Sequence, residues 1–449
     1  MFILKNGRLV VGDGRTPAFT GSLVIDGDRI AAAGPDDYTG GLDDTVVDLG
    51  GRLVLPGALD CHAHAVAPGP RFASGTPGVS LPEVMGNLRR HLSQGHTTVV
   101  DLDGFKLPAE TTQVTGQPVR VASSTVHFEP MFQAADAADG SGLTAAHRDM
   151  TAAAMADAGA VVIGEVGAGM TLGGGGQDYL YIPAAVEKAT GTRLTPAQSK
   201  ALKYAVLGRH IRPGAPDTGA VRRLLTEYGL AERLPVADAV ALIEDSVLPS
   251  FQTALDGLVR SADLAVDLGI PTLVHNSAPS DEAARTAAKV AGPLFIGGHT
   301  NHGTFSADEA VASARYIREQ GGHVELDTFD AWGRRELHAA PEHLIALVQE
   351  GLVDVIATDY ASGHWDGVFS AVEAIVGVGL ASLEAAVAMV SGNVARALPR
   401  LGDRGLLRPG RLADVVVTSP RHPSDIELVI VGGEVVLAAE GSGLREPAR

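Results

Sequence analysis

Residues 1–55 alternate apolar and polar positions in short runs. FILKNGRLVVGDG, GSLVIDGDRIAAAG and TVVDLGGRLVLPG are broken by Asn-Gly, Asp-Gly and Gly-Gly turns. A period of two with such turns marks strands buried on one face. The style returns near the C-terminus in RLADVVVTSP and IELVIVGGEVVLAAEG. The two ends are expected to pair into one small β-sandwich, bringing the termini close together.

Between them the pattern changes to an apolar run, a loop and an Ala-rich helical stretch, repeated. Eight runs qualify as strands: 52–59, 97–102, 119–128, 160–167, 271–277, 294–300, 323–329 and 353–359. Near-continuous apolar strands separated by helices are what a parallel sheet covered on both faces requires. Eight such units predict an α/β fold, a (β/α)8 TIM barrel carrying a small β-sandwich domain built from both termini. The expected division is 1–56 and 391–449 for the sandwich and 57–390 for the barrel. Residues 168–250 exceed any ordinary strand–helix loop. Their periodic apolar positions predict a helical insertion forming a lid or wall at the barrel mouth.

Composition narrows the function. The chain has 449 residues, 45% hydrophobic and 20% charged, with a net charge of −18. That charge argues against nucleic acid and anionic membranes as partners, since both need clustered Lys and Arg. The single cysteine, Cys61, excludes an intramolecular disulfide and a thiolate-rich zinc site, and its expected role is a small buried hydrophobe. No basic start followed by an apolar core opens the chain, and no stretch reaches the length of a membrane span, so a cytoplasmic location is expected.

Chemistry in such barrels gathers at the C-terminal ends of the strands. His62 and His64 close the first strand, Glu165 the fourth, His275 the fifth, His299 the sixth and Asp359 the eighth. With 15 histidines in the chain, a pair two residues apart arises readily by chance. Its position carries the argument instead. An imidazole or carboxylate ending a run of Val, Ile and Leu is costly to bury without a partner. Six of them at one end of five strands call for a shared one, and a cation is the simplest.

This ordered set, with LVLPGALDCHAH ahead of it, is similar to the amidohydrolase superfamily over essentially the whole chain. GEVG, HTNH and ATDY resemble most its enamidase-type branch. The resemblance implies His62, His64, Glu165, His275, His299 and Asp359 as ligands of two divalent metal ions. Many relatives bridge the two metals with a carboxylated lysine on strand four. Here lysines stand only at 5, 106, 188, 200, 203 and 289, so Glu165 would bridge instead. A mononuclear arrangement of His62, His64, His275 and Asp359, with His299 behind them, is the alternative.

Four imidazoles and two carboxylates suit Zn2+, with Fe2+ or Mn2+ also compatible. A pair of ions lowers the pKa of a shared water toward about 7, and Asp359 is placed to shuttle its proton. The expected reaction is hydrolysis of a C–N bond in a small amide, lactam or enamide, with a carboxylate on the substrate tolerated by the net positive site. A deaminase or an isoaspartyl or N-acyl amino acid hydrolase of the same superfamily is the alternative; a non-catalytic scaffold would be expected to have lost ligands.

His302 and His127 join Asp359 as candidate catalytic residues. Asn276, Asn301, Tyr360, Arg212 and His364 are candidate substrate contacts. Each competes with a structural role: a hydrogen-bonded barrel histidine for His127, loop packing for His364, a solvated patch for Arg212. The GGGG run at 173–176 lacks a following Lys-Ser/Thr and is rejected as a phosphate cradle. Similar proteins are commonly homo-oligomers, which is the expectation here.

Overall fold

The computed structural model describes residues 1–440 apart from 37, 39, 174, 329–340 and 361–364. The N-terminal alternating runs form β1 (Phe2–Leu9), β2 (Phe19–Asp26), β3 (Arg29–Gly34), β4 (Thr45–Asp48) and β5 (Leu53–Pro56). Eight parallel strands follow: β6 (Ala58–Ala63), β7 (His96–Asp101), β8 (Arg120–Thr125), β9 (Val162–Val166), β10 (Thr272–His275), β11 (Phe295–Gly298), β12 (His323–Asp327) and β13 (Val355–Ala357). The chain ends in β14 (Val415–Thr418), β15 (Ile426–Val431) and β16 (Glu434–Ala438).

The two termini meet in one sheet of order β16-β15-β14-β5-β1-β2-β3. It forks at β1, whose Phe2–Lys5 pair with β4 and whose Arg8 and Leu9 pair with β5. The expected sandwich is thus a single forked sheet. Its alternating apolar side chains, among them Leu4, Leu23, Ile25, Val54, Val415 and Ile430, form their own core.

The run expected as one strand over 52–59 divides at Gly57. A Cβ there would lie 2.3 Å from Thr97 Oγ1, so only glycine lets the chain pass from the terminal sheet into the barrel. The barrel strands lie in sequence order from β6 to β13. Closure runs through a parallel bridge between Ala63 and Tyr360, with His64 N–H donating to Tyr360 O at 2.6 Å. Beneath the mouth, Leu59, Cys61, Val100, Leu273, Ile296 and Val355 pack against Val394, Leu398 and Leu401. Residues just past 391 therefore form the barrel floor, and the terminal sheet resumes only at β14. The floor leaves the opposite end open for chemistry.

The insertion is helical: Ile182–Thr190, Pro196–Leu207 and Thr218–Glu227. It has no separate end, because the 33-residue helix Val236–Leu268 runs from it straight to the position before β10. Lys203, 0% exposed, anchors it with its ammonium 2.8 Å from Asp178 Oδ1 and 3.0 Å from Gln177 Oε1. Arg209 pairs with Glu309 at 2.9 Å, fastening the insertion to the helix Ala307–Glu319. Among the described residues, no helix is long and apolar enough to cross a membrane.

Candidate metal centre

His62 lies within β6, Glu165 within β9 and His275 ends β10; His64, His299 and Asp359 follow their strands by one or two residues. His299 and Asp359 adopt left-handed backbone conformations, φ 54° and 48°. Such conformations are strained for residues with a Cβ and concentrate at functional sites. Here they mark where the chain turns off the strand at the barrel mouth.

The six side chains meet around Glu165. His62 Nε2 and His64 Nε2 each stand 3.6 Å from its Oε2. His275 Nδ1 and His299 Nε2 stand 2.6 and 3.3 Å from its Oε1. Asp359 faces the same nitrogens, with Oδ1 3.3 Å from both His62 Nε2 and His64 Nε2, and Oδ2 3.8 Å from His299 Nε2. One carboxylate thus presents one oxygen to each pair of imidazoles. His62 Nε2 is buried and makes no hydrogen bond among the described residues. An orphaned lone pair among nitrogen and carboxylate donors fits divalent metal ions.

Behind the imidazoles stand three carboxylates that the strand-end reading missed. His62 Nδ1 lies 3.2 Å from both oxygens of Glu325, His64 Nδ1 3.1 Å from Asp103 and His299 Nδ1 3.0 Å from Asp327. Each takes the proton on Nδ1 and leaves Nε2 as the lone pair directed at the mouth. Glu325 and Asp327 are two apart on β12 and share one face, the signal that HVELDTF carried. Asp103 is held in turn by Lys106, whose ammonium lies 2.6 Å from Asp103 and from Asp101. Replacing Asp327 with Ala is expected to weaken metal binding about 10–100-fold. Competition against a chromophoric chelator measures this, and an unchanged affinity would remove the role given to Asp327.

Burial alone would raise the carboxylates and lower the imidazoles, and the mutual pairing opposes it. Despite burial, the imidazoles of His275, His299 and His62 around it hold Glu165 well below the usual carboxylate range. Against its own desolvation, His62 is pushed up to about 10 by Glu325 and Asp359. His64 and His299 are raised as well, through Asp103 and Asp359. His275 is the exception, lowered by burial and by His299. Near neutral pH the metal-free centre is therefore a network of imidazolium and carboxylate, and a metal ion must displace protons to bind. Titration calorimetry in two buffers of different ionisation enthalpy should show net proton release. A folded-state pKa raised from 6.5 to about 10 also gives His62 a stabilising share that is complete below pH 6.5. It is lost as pH rises through about 10, so the chelated protein should melt at lower temperature across that window.

His302 lies at the mouth, its ring 5.1 Å from that of His275. Thr304 N–H donates to its Nδ1 at 3.3 Å, which leaves the proton on Nε2. Burial, then His275 and His299, hold its pKa far down, so it is a neutral donor.

Other expected contacts fall elsewhere. The hydroxyl of Tyr360, 0% exposed, donates to Asn87 and accepts from Arg90. Asn276 donates to Ser313 Oγ on the helix Ala307–Glu319, outside the barrel wall. Both follow a clustered residue by one position, and strand alternation turns them away from the mouth. Asn301 spends both amide atoms on the backbone of Asp327, steadying that residue. His127 is tied by Nε2 to Phe105 O and by Nδ1 to the Thr125 hydroxyl, and burial lowers it to about 4. It is a hydrogen-bonded barrel histidine.

Arg212 is exposed and lines a groove of about 460 Å³ with Phe251, Asp281 and Glu282, a groove that includes none of the six clustered residues. His364 lies outside the described residues. Phe72, unnoticed in the sequence, stacks on His64 with ring centroids 6.1 Å apart and planes 8° from parallel.

No protein-family model matches the chain. Its sequence is 25% identical over 418 residues to imidazolonepropionase of Ruegeria sp. (strain TM1040), covering 90% of this chain and 88% of that protein. A shorter match to imidazolonepropionase of Paracoccus denitrificans reaches 38% over 96 residues, 19% of this chain and 23% of that one. The fold matches β-aspartyl dipeptidase of Fervidobacterium islandicum AW-1 with TM-score 0.58 and 13% identity, covering 100% of this chain and 99% of that one. It matches enamidase, described as a member of the amidohydrolase superfamily, with TM-score 0.50 and 17% identity, covering 100% and 98%. D-aminoacylase matches with TM-score 0.53 and 16% identity, covering 97% and 96%. The chain is thus similar in sequence to imidazolonepropionase along nine-tenths of its length and in fold to enamidase, a described member of the amidohydrolase superfamily, and it carries buried His/Glu/Asp clusters at the barrel mouth that could hold metal ions.

Proposed function

We propose that the protein hydrolyses a C–N bond of a small amide, lactam or enamide that carries a carboxylate. The observation behind this is the division of Glu165 between two pairs of imidazoles, one pair at each oxygen. That arrangement suits two ions, with His62 and His64 holding one, His275 and His299 the other, and Glu165 and Asp359 completing the set. The donors suit Zn2+ best. Bound there, such ions would supply Lewis acidity and a water acidic enough to ionise near neutral pH. D-aminoacylase, similar in fold, is described with a binuclear centre in which one metal activates and the second attenuates.

Asp359 moves the proton. Its side chain is 16% exposed against 4% for Glu165, so it is the cluster carboxylate that reaches the substrate. His62 and His299 hold its pKa down against burial, keeping it ionised to accept a proton from the attacking water. The same oxygen then delivers that proton to the departing nitrogen. His302 donates its Nε2–H to the substrate carbonyl oxygen, and Phe72 lines the wall beside His64.

Imidazolonepropionase is named for an imidazolone ring bearing a propionate, which is a cyclic amide with a carboxylate. That supports the cyclic, anionic substrate class over a linear one. Enamidase is matched in fold as well, with TM-score 0.50 against 0.58 for the dipeptidase, so the fold does not choose between these branches. Zinc-loaded protein assayed against lactams, imides, imidazolones, β-aspartyl dipeptides and N-acyl amino acids tests the proposal. Carboxylate-bearing cyclic amides should turn over fastest, and chelation should stop them. Full activity in a metal-free preparation, or a preference for amino-group release from a heterocycle, would refute it.

A further inference from the structure

The first strand–helix–strand unit of the barrel holds a second group of metal-capable side chains that the mouth does not use. Asp60 lies on β6, His91 on the helix Leu81–Ser93, and His96 opens β7 just after it. Their exposures are 1%, 0% and 0%. One ligand atom from each lies within 4.8 Å of the other two.

Their hydrogen bonds are uneven. Asp60 Oδ1 accepts from the backbone N–H of His62 at 3.2 Å and of Thr358 at 3.1 Å, and Oδ2 accepts from the Thr358 hydroxyl. His96 Nδ1 donates to the carbonyl of His91 at 3.1 Å, which makes its Nε2 a lone pair. That Nε2 and both ring nitrogens of His91 make no hydrogen bond among the described residues. His91 Nδ1 stands 3.7 Å from Asp60 Oδ2. Buried polar atoms are nearly always paired, and three orphans in one unit need a reason. Packing does not supply one, since Val or Leu would fill the space without polar atoms to desolvate. The rings are fixed by aromatic neighbours, with Trp365 4.7 Å from His91 and 5.9 Å from His96.

We propose that Asp60, His91 and His96 form a separate structural site for a divalent cation of borderline softness, such as zinc or cobalt(II). Two imidazoles and one carboxylate favour these ions over calcium or magnesium and leave one coordination position for water. A carboxylate oxygen has lone pairs enough for the Thr358 hydroxyl and an ion together. The ion ties the first helix to β6 and, through Thr358, to the seam where the barrel closes. Its function is to stabilise that seam, whatever the mouth hydrolyses.

The test strips wild type and His96→Val of metal, reloads both with cobalt(II), removes the excess and measures cobalt per chain. Wild type should retain one ion more than the variant. In a Trp332→Phe background Trp365 is the remaining tryptophan, and cobalt should quench its emission through a step that His96→Val abolishes. Equal cobalt contents and superimposable quenching curves overturn the proposal. Should His96→Val fail to fold, anomalous diffraction from cobalt-loaded wild-type crystals decides. A peak enclosed by Asp60, His91 and His96 supports the site; cobalt at the mouth alone, or a water between the histidines, overturns it.

Discussion

Asp359→Asn is expected to lose about 10²–10⁴-fold in kcat while keeping the fold and its bound metal. On the proposed mechanism the loss follows from removing the more exposed of the two clustered carboxylates, the one assigned the proton. The fold should survive because Asn tolerates the left-handed backbone found at this position, φ 48°. Asn also keeps an oxygen to face His62 and His64, now 3.3 Å from the carboxylate. Steady-state kinetics with circular dichroism and metal analysis check all three parts. Full activity in the variant would assign the proton transfer elsewhere.

Glu165→Gln is expected to reach further, because it removes a charge and not only a proton carrier. Glu165 is the acid whose two oxygens divide the imidazoles into pairs, and a neutral amide presents one oxygen and one donor. At least one ion per chain should be lost, and affinity for the rest should fall beyond the about 10–100-fold expected for an outer partner such as Asp327. His275, now 2.6 Å from Glu165 Oε1, would face an amide in place of its carboxylate. Metal content after gel filtration, read beside activity, measures the effect. A variant that kept both ions would show that Glu165 does not bridge them.

The barrel and the six clustered residues were legible because both rest on cost. Apolar runs with helical spacers have few folds open to them, and an ionisable side chain at the end of such a run has to be met by something. Alternation held further information that the strand-end reading left unused. Asn276 and Tyr360 each follow one of the six clustered residues by one position, so period two sends them outward, to Ser313 and to Asn87. Glu325 and Asp327 share a face on an apolar strand, yet what they meet lies far away in the chain: His62 is 263 residues from Glu325. No local pattern supplies such a pairing. Arg212 was illegible for another reason. Periodicity makes the insertion helical but does not say where its loops land, and Arg212 lands beside Asp281 and Glu282 in a groove apart from the cluster. The passage from β5 to β6 depended on a clash with Thr97 that only the folded chain contains.

Anomalous diffraction at the zinc edge, on crystals of the zinc-loaded protein, tests the central claim most directly. Two peaks are expected at the mouth about 3.5–4 Å apart, one contacted by His62 and His64, the other by His275 and His299, with Glu165 between them. A mouth without zinc, or with Glu165 or His275 rotated out of reach of His62, would contradict it.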